Sequence, residues 1–448
     1  MNTPICDYVN RYLESDPLRL HMPGHKGATF LGLEKIDITE IDGADSLYHA
    51  DGIILESQEN ASALFGCPTW YSTEGSSHCI RAMLYLVLQY AKARGQKPQI
   101  LSARNVHSTF LSAVALLDMD VEWIYPENQT SYLACNVTPA QLEQHLSQQE
   151  IKPTALYITS PDYLGNVADV AGLAKVCHAN DMLLVVDNAH GAYLKFLVNS
   201  EHPVDLGADI CCDSAHKTLP VLTGGAYLHV AQRHMEEFNP IVSKALALFG
   251  STSPSYVILQ SLDMANAYME TLRKRLMEFV PSVVRLKARL KVLGFKDSSQ
   301  EYLKICLTPK TMGYTGTQLA EILKSNGIYC EFADQDYLVL MLTPEIGEEG
   351  INRFSDVMAG ISHGEPIDMN PPKPCKAQKA MSVREATLSP MEMIDVEESL
   401  GRILANPSVS CPPAVPILVC GERIDQQAID CFRYYGVKNI YVVRGAET

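Results

Sequence analysis

Between residues 100 and 230 short apolar runs alternate with segments of helical periodicity, and few folds accommodate that order. The runs at 121–125, 155–159, 182–186, 208–212 and 226–230 have the length and composition of buried strands. Between them, Thr138-Pro139-Ala140-Gln141 opens a helix with a capping-box pattern and a proline at the first helical position, and 170–180 reads as another helix. Repeated β–α order predicts an α/β fold with a mostly parallel sheet. Ligands of such sheets bind beyond the C-terminal strand ends, so the residues that follow the apolar runs carry the most functional information.

Two strand ends hold reactive side chains. After 208–212 comes Asp213-Ser214-Ala215-His216-Lys217-Thr218, then the turn Leu219-Pro220. The amine of Lys217 can condense with an aldehyde cofactor, while Ser214 and His216 can donate hydrogen bonds to a phosphate. A surface lysine following a strand would look the same. After 182–186 comes Asp187-Asn188-Ala189-His190. A carboxylate at this place can pair with the ring nitrogen of pyridoxal phosphate (PLP), and Ala189 is small enough for a ring to lie against the backbone. An Asp that merely caps the next turn is the alternative. Asp187 and Lys217 together favour the cofactor. Upstream, Glu74-Gly75-Ser76-Ser77 precedes a helix over 78–93, where Ile80, Met83, Leu84, Val87, Leu88 and Ala91 form one apolar stripe. Gly75, Ser76 and Ser77 therefore stand at a helix N-terminus, where N–H groups and hydroxyls favour an anion. A carboxylate beside a phosphate is unfavourable, so Glu74 is expected to point away or to serve another role.

These stretches resemble the cofactor sites of the ornithine/lysine/arginine decarboxylase family, whose large domain has the aspartate-aminotransferase fold. Further matches run through nearly the whole chain in family order: His21-Met22-Pro23-Gly24-His25-Lys26-Gly27, Arg104-Asn105-Val106-His107, Thr252-Ser253-Pro254-Ser255-Tyr256 and Pro412-Pro413-Ala414-Val415-Pro416. The chain is similar to the shorter form, without room for the receiver-like N-terminal domain of longer members. The resemblance implies PLP as cofactor, held by Lys217, with Asp187 at the ring nitrogen and His107 stacked on the ring. It places Ala189, His190 and His216 around the cofactor and Gly75, Ser76, Ser77 and Ser214 at its phosphate. Thr252 and Ser253 would reach the phosphate of a neighbouring subunit, which implies a homodimer or larger homo-oligomer with shared active sites. The implied activity is α-decarboxylation of a basic amino acid, arginine first, then lysine or ornithine, with Lys217 or His216 returning a proton to Cα. Two departures from the family pattern stand out: Glu74, where asparagine is common, and Ser108, where lysine often follows the histidine. Glu422 can be a carboxylate on the substrate side, or a solvated or structural one.

Two other activities fit parts of the pattern. An aminotransferase on the same fold would typically clamp the substrate carboxylate with a small-domain arginine, but Arg353 is the only arginine between Gly294 and His363. A non-catalytic regulatory homologue would have little use for Lys217, Asp187 and His107 together.

Composition narrows the partners. With 36 Lys+Arg against 52 Asp+Glu, the net charge of −16 argues against nucleic acid or an anionic membrane. No apolar run is long enough for a membrane span, and the first residues show no basic region followed by an apolar stretch, so a cytoplasmic protein is expected. The 13 cysteines are irregularly spaced without CxxC pairs; they suggest free thiols, and no metal site is expected. The expected divisions are an N-terminal arm over 1–49, a PLP-binding large domain over 50–293, a small α/β domain over 294–363, a Pro-rich linker over 364–379 and a C-terminal α+β domain over 380–448.

Overall fold

The computed structural model describes residues 1–126, 131–134, 136–374, 376–406 and 414–445. The chain begins with helices α1 (Pro4–Glu14) and α2 (Ile53–Phe65), strand β1 (Thr69–Ser72) and helix α3 (Gly75–Ala93). Alternation follows as β2 (Gln99–Ala103), α4 (Ser108–Leu117), β3 (Asp120–Ile124), α5 (Pro139–Ser147), β4 (Ala155–Thr159), α6 (Val170–Ala179) and β5 (Leu183–Asp187). Next come β6 (Ile210–Asp213), the single turn α7 (Ala215–Thr218), β7 (Ala226–Val230) and the helices α8 (Met235–Phe249) and α9 (Tyr256–Val292). Then follow β8 (Lys304–Leu307), α10 (Gly316–Ser325), β9 (Phe332–Ala333), β10 (Leu338–Met341) and α11 (Gly347–Ala359). The last elements are α12 (Val383–Leu388), β11 (Met391–Asp395), β12 (Leu404–Asn406), α13 (Gln426–Tyr434) and β13 (Asn439–Val443).

The main sheet has the order β1-β7-β6-β5-β4-β2-β3. β2 pairs with β3 and β5 with β6 in parallel, whereas β7 runs antiparallel to both of its neighbours. This is the mostly parallel sheet that the β–α alternation predicts. The strands β4, β5, β6 and β7 are buried almost throughout, which is why they read as continuous apolar runs rather than alternating ones. Two small antiparallel sheets follow, β8-β10-β9 and β11-β13-β12.

The chain divides into two compact units. The first comprises Met1–Lys97, Thr154–Leu156 and Val170–Arg275. Residues 1–49 contain no strand but do contain α1, whose Ile5, Cys6 and Val9 are buried. Its N-terminal N–H groups lack a side-chain cap from Thr3. Asp263 of α9 replaces that cap: its carboxylate accepts the backbone N–H of Ile5 and of Cys6 at 3.0 Å each, and the Ser57 hydroxyl at 2.6 Å.

The second unit comprises Pro98–Pro153, Tyr157–Asp169 and Leu276–Thr448. One of its cores gathers Leu133, Tyr163, Leu164, Cys306, Phe332, Val339 and Val415; another joins Leu404, Ile424, Phe432, Ile440 and Val442. Complete capping boxes start three of its helices: Thr138 with Gln141, Thr315 with Gln318, and Ser382 with Glu385. Among the described residues no helix is long and apolar enough to cross a membrane, and the ten described cysteines are free thiols.

Candidate active site

The centre of the site lies in the first unit, on two neighbouring strand ends. Asp187 is the last residue of β5 and pairs in register with Cys212 of β6. Its carboxylate is 2% exposed. One oxygen accepts the N–H of Ala189 at 3.1 Å and faces the thiol of Cys212 at 3.8 Å. Burial pushes that thiol well above its usual range, so Cys212 acts as a neutral S–H donor. One residue past β6, α7 turns Lys217 back so that its Nζ lies 3.0 Å from Nε2 of His190, in the loop after β5. Ala189 and His190 are both buried. His216 donates from Nδ1 to the carbonyl of Gly225 at 3.0 Å, which fixes its ring orientation. The short loops after β5 and β6 thus bring Asp187, Ala189, His190, His216 and Lys217 together.

The start of α3 supplies the hydroxyl end. Gly75, with φ +74°, opens the helix and donates its N–H to the carbonyl of Gly224 at 2.7 Å. Ser76, one residue on, meets Ser214 hydroxyl to hydroxyl at 2.6 Å, and Ser77 is partly buried in the same first turn. Glu74 is exposed and has a task of its own. Its carboxylate accepts the N–H of Ser251 at 2.6 Å, and Ser251 in turn accepts the N–H of Ser253. The exposed loop bearing Thr252 and Ser253 is thereby tied to the head of α3.

In the second unit, His107 is the N-cap of α4. Its Nδ1 accepts the N–H of Thr109 at 3.1 Å and stands 2.9 Å from the Thr109 hydroxyl, so the ring hydrogen of the neutral form is on Nε2. Ser108 donates its N–H to the carbonyl of Ala414 at 2.8 Å, which explains part of the Ala414-Val415-Pro416 motif; Pro412 and Pro413 lie outside the described residues. Arg104 and Glu422 form an ion pair at 2.8 Å with side chains 5% and 4% exposed. Glu422 also accepts the N–H of Val419 at 2.8 Å, and burial raises its pKa against the pull of Arg104. Glu422 is thus a buried side chain that links Arg104 to the loop of Val419 within this unit, not a solvated one. Arg353 donates to the carbonyl of Asn326 at 2.7 Å, at the end of α10.

Behind the site lies a cluster that no sequence motif joins. Asn188 donates to Asp213 at 2.6 Å, and Asp213 is also bonded by His202 and His229. Positions 188, 202, 213 and 229 have no shared motif or period. Asn188 follows β5, His202 lies in the loop before β6 and His229 is in β7, and only the fold brings all three to Asp213 at the end of β6.

A mostly parallel sheet with an amine and a carboxylate at adjacent strand ends, and hydroxyls at the head of a neighbouring helix, agrees with the aspartate-aminotransferase fold that the resemblance implies. The family signature described as Orn/Lys/Arg decarboxylase, major domain, matches residues 3–311, and that described as Orn/Lys/Arg decarboxylase, C-terminal domain, matches residues 369–439. The chain belongs to the Orn/Lys/Arg decarboxylase family. It is 29% identical over 465 residues to the uncharacterized protein YaaO of Bacillus subtilis, which covers 96% of this chain and 93% of that one. It is 26% identical to the arginine decarboxylase of Bacillus subtilis over 95% and 92% of the two chains. The lysine decarboxylase LdcF of Francisella novicida superposes with a TM-score of 0.82 over 98% of this chain and 81% of its own, at 15% identity. At that identity the likeness establishes the fold.

Proposed function

We propose that this protein is a PLP-dependent α-decarboxylase of a basic amino acid, arginine before lysine or ornithine. The observation that carries the reading is the placement, within one unit, of Lys217 and Asp187 at neighbouring strand ends with the Ser76–Ser214 contact at the head of α3. These residues fit PLP, which needs an amine for its aldehyde, a carboxylate for its ring nitrogen and N–H or O–H donors for its phosphate. When bound, PLP supplies an electron sink for the carbon that loses its carboxylate.

The protein's own residues do the rest. Lys217 anchors the aldehyde end, and His190 beside its Nζ is placed to hold or accept the amine's proton. Asp187, steadied by Ala189 and Cys212, keeps a proton on the ring nitrogen. Ser76, Ser77 and Ser214, with the first N–H groups of α3, hold the phosphate, and Gly75 leaves room for it. Lys217 or His216 returns a proton to the substrate Cα. On the family resemblance, His107 stacks on the ring, and Thr252 and Ser253 reach the phosphate of a second copy. The protein accordingly works as a homodimer or larger assembly, in the cytoplasm. Arginine stands first because the arginine decarboxylases of three Bacillus species match over nearly the whole chain. Transamination is not favoured, because Arg353 is engaged with the carbonyl of Asn326.

The deciding experiment measures amine and CO₂ from arginine, lysine and ornithine separately, with PLP added and Lys217→Ala as control. One of the three substrates is expected to yield CO₂ and its amine, and the variant none. Bound cofactor with no CO₂ from any of the three would overturn the assignment.

A further inference from the structure

The Asp187-Asn188 dipeptide is gripped from both faces of the sheet. Strand side chains alternate, so Cys212 shares a face with its register partner Asp187, while Cys211 and Asp213 point to the opposite face. On the first face the Cys212 thiol meets Asp187 at 3.8 Å. On the second, Nδ2 of Asn188 donates to Oδ1 of Asp213 at 2.6 Å. Between them the N–H of Asn188 donates to the carbonyl of Cys212 at 3.0 Å.

Asp213 is 0% exposed, and its Oδ2 accepts from Nε2 of His202 and of His229, each at 3.1 Å. Both histidines are also 0% exposed. The ring of Phe65 closes over them, 4.4 Å from His229 and 5.5 Å from His202. Burying a carboxylate costs several kcal/mol even when it is well paired, and an apolar core of the same volume is often as stable. Packing alone therefore gives no reason for an ion at this position.

We infer that Asp213, backed by His202 and His229, is a positioning residue. It holds the Asn188 amide and, through the Asp187-Asn188 peptide, sets the direction of the Asp187 carboxylate. The inference rests on the cofactor reading above. His202, Cys211 and Asp213 also bring donor atoms within 4.8 Å of one another, the spacing of a metal site. The structure favours the hydrogen-bonded cluster. The oxygens of Asp213 already accept from three side chains, and burial pushes the Cys211 thiol well above its usual range, so no thiolate is at hand.

The test uses the full chain with PLP as the probe, comparing wild type, Asn188→Ala and Asp213→Asn. Three quantities are read: the Kd for PLP, the pH midpoint of the visible band of the lysine-bound cofactor, and the melting temperature without PLP. Asn188→Ala is expected to weaken PLP binding on the order of tenfold and to move the pH midpoint, with a small loss of melting temperature. Asp213→Asn should act in the same direction and more strongly, since its amide would face two imidazole N–H groups. A purely structural role would lower the melting temperature and leave Kd and midpoint at wild-type values in both variants, which overturns the inference. If Asp213→Asn does not fold, Asn188→Ala decides, because it leaves the Asp213–His202–His229 cluster in place. One equivalent of tightly held metal in the purified wild type also overturns it. A wild type that gives no visible band with PLP refutes the cofactor reading instead.

Discussion

Glu74 shows how one residue can serve and oppose the same site. Its charge stands at the N-terminus of α3, where a phosphate would feel it, yet its carboxylate also holds the loop of Thr252 and Ser253 through the N–H of Ser251. Two variants separate these effects. Glu74→Gln keeps an acceptor for Ser251 and removes the charge; Glu74→Ala removes both. Relief of one like charge at a helix end is worth roughly two- to fivefold in anion affinity at low salt. Glu74→Gln is therefore expected to bind PLP about that much more tightly, with the gain shrinking as salt is added. Glu74→Ala should lose affinity, because the tether goes with the charge. Equal affinities for the two variants at every salt concentration would show that the tether has no part in cofactor binding. Glu422 teaches the complementary lesson. A carboxylate near the C-terminus looks available for a substrate, but its buried pairing with Arg104 fixes the fold of the second unit.

At the scale of elements, another buried carboxylate joins four segments of the first unit. Asp209, 0% exposed just before β6, accepts the N–H of Leu184 in β5 at 2.7 Å, His178 of α6 at 3.0 Å, Arg233 at 2.8 Å and His234, the N-cap of α8, at 2.7 Å. Burial works against the charge of Asp209, but the donors together hold its pKa below the usual value. Burial likewise opposes a charge on His234, and its bonds to Asp209 and Glu237 overcome that and raise its pKa. The signs set a window. The contribution of His234 is full below the ordinary histidine pKa and is lost as pH rises through the raised folded value. That of Asp209 is present above the ordinary aspartate pKa and is lost as pH falls through its lowered one. Melting temperature measured from mildly acidic to alkaline pH should thus fall more steeply for wild type than for His234→Asn. Parallel curves would mean that His234 contributes no pH-dependent stability. This clamp also marks the limit of what the chain's pattern discloses. The buried strands, the α3 stripe and the Thr138 capping box were legible because each is set by neighbours a few residues away. Helix α1 lies in the stretch expected as an arm, and the acceptor for its first N–H groups is Asp263, more than 250 positions along the chain. Likewise Lys217 and Asp187 declare themselves by their place at strand ends, whereas His229 meets Asp213 only when β7 pairs with β6, and His202 only when the loop before β6 folds over the strand.

For the molecule as a whole, the expectation of a homodimer turns on a conflict between charge and apolar surface. Copies with a net charge of −16 repel one another, so association needs a compensating apolar contact. The N-terminal arm offers one: Leu18 and Leu20 are each 84% exposed, Phe30 78% and Leu31 91%. Single exposed apolar residues are ordinary, but several large ones within one short stretch mark an interaction surface. If a second copy covers this arm, sedimentation of the wild type at micromolar concentration gives twice the chain mass of 49.5 kDa. Salt should strengthen the assembly, because it screens the repulsion and leaves apolar burial intact. The double variant Leu20→Asp, Leu31→Asp should sediment as a monomer with its far-ultraviolet circular dichroism unchanged, since these side chains bury nothing within their own chain. Because Thr252 and Ser253 are proposed to act on the neighbouring copy, the same variant should release PLP on dilution faster than wild type does. A wild type that stays monomeric while decarboxylating its substrate would remove the shared site and leave Thr252 and Ser253 without a role at the phosphate.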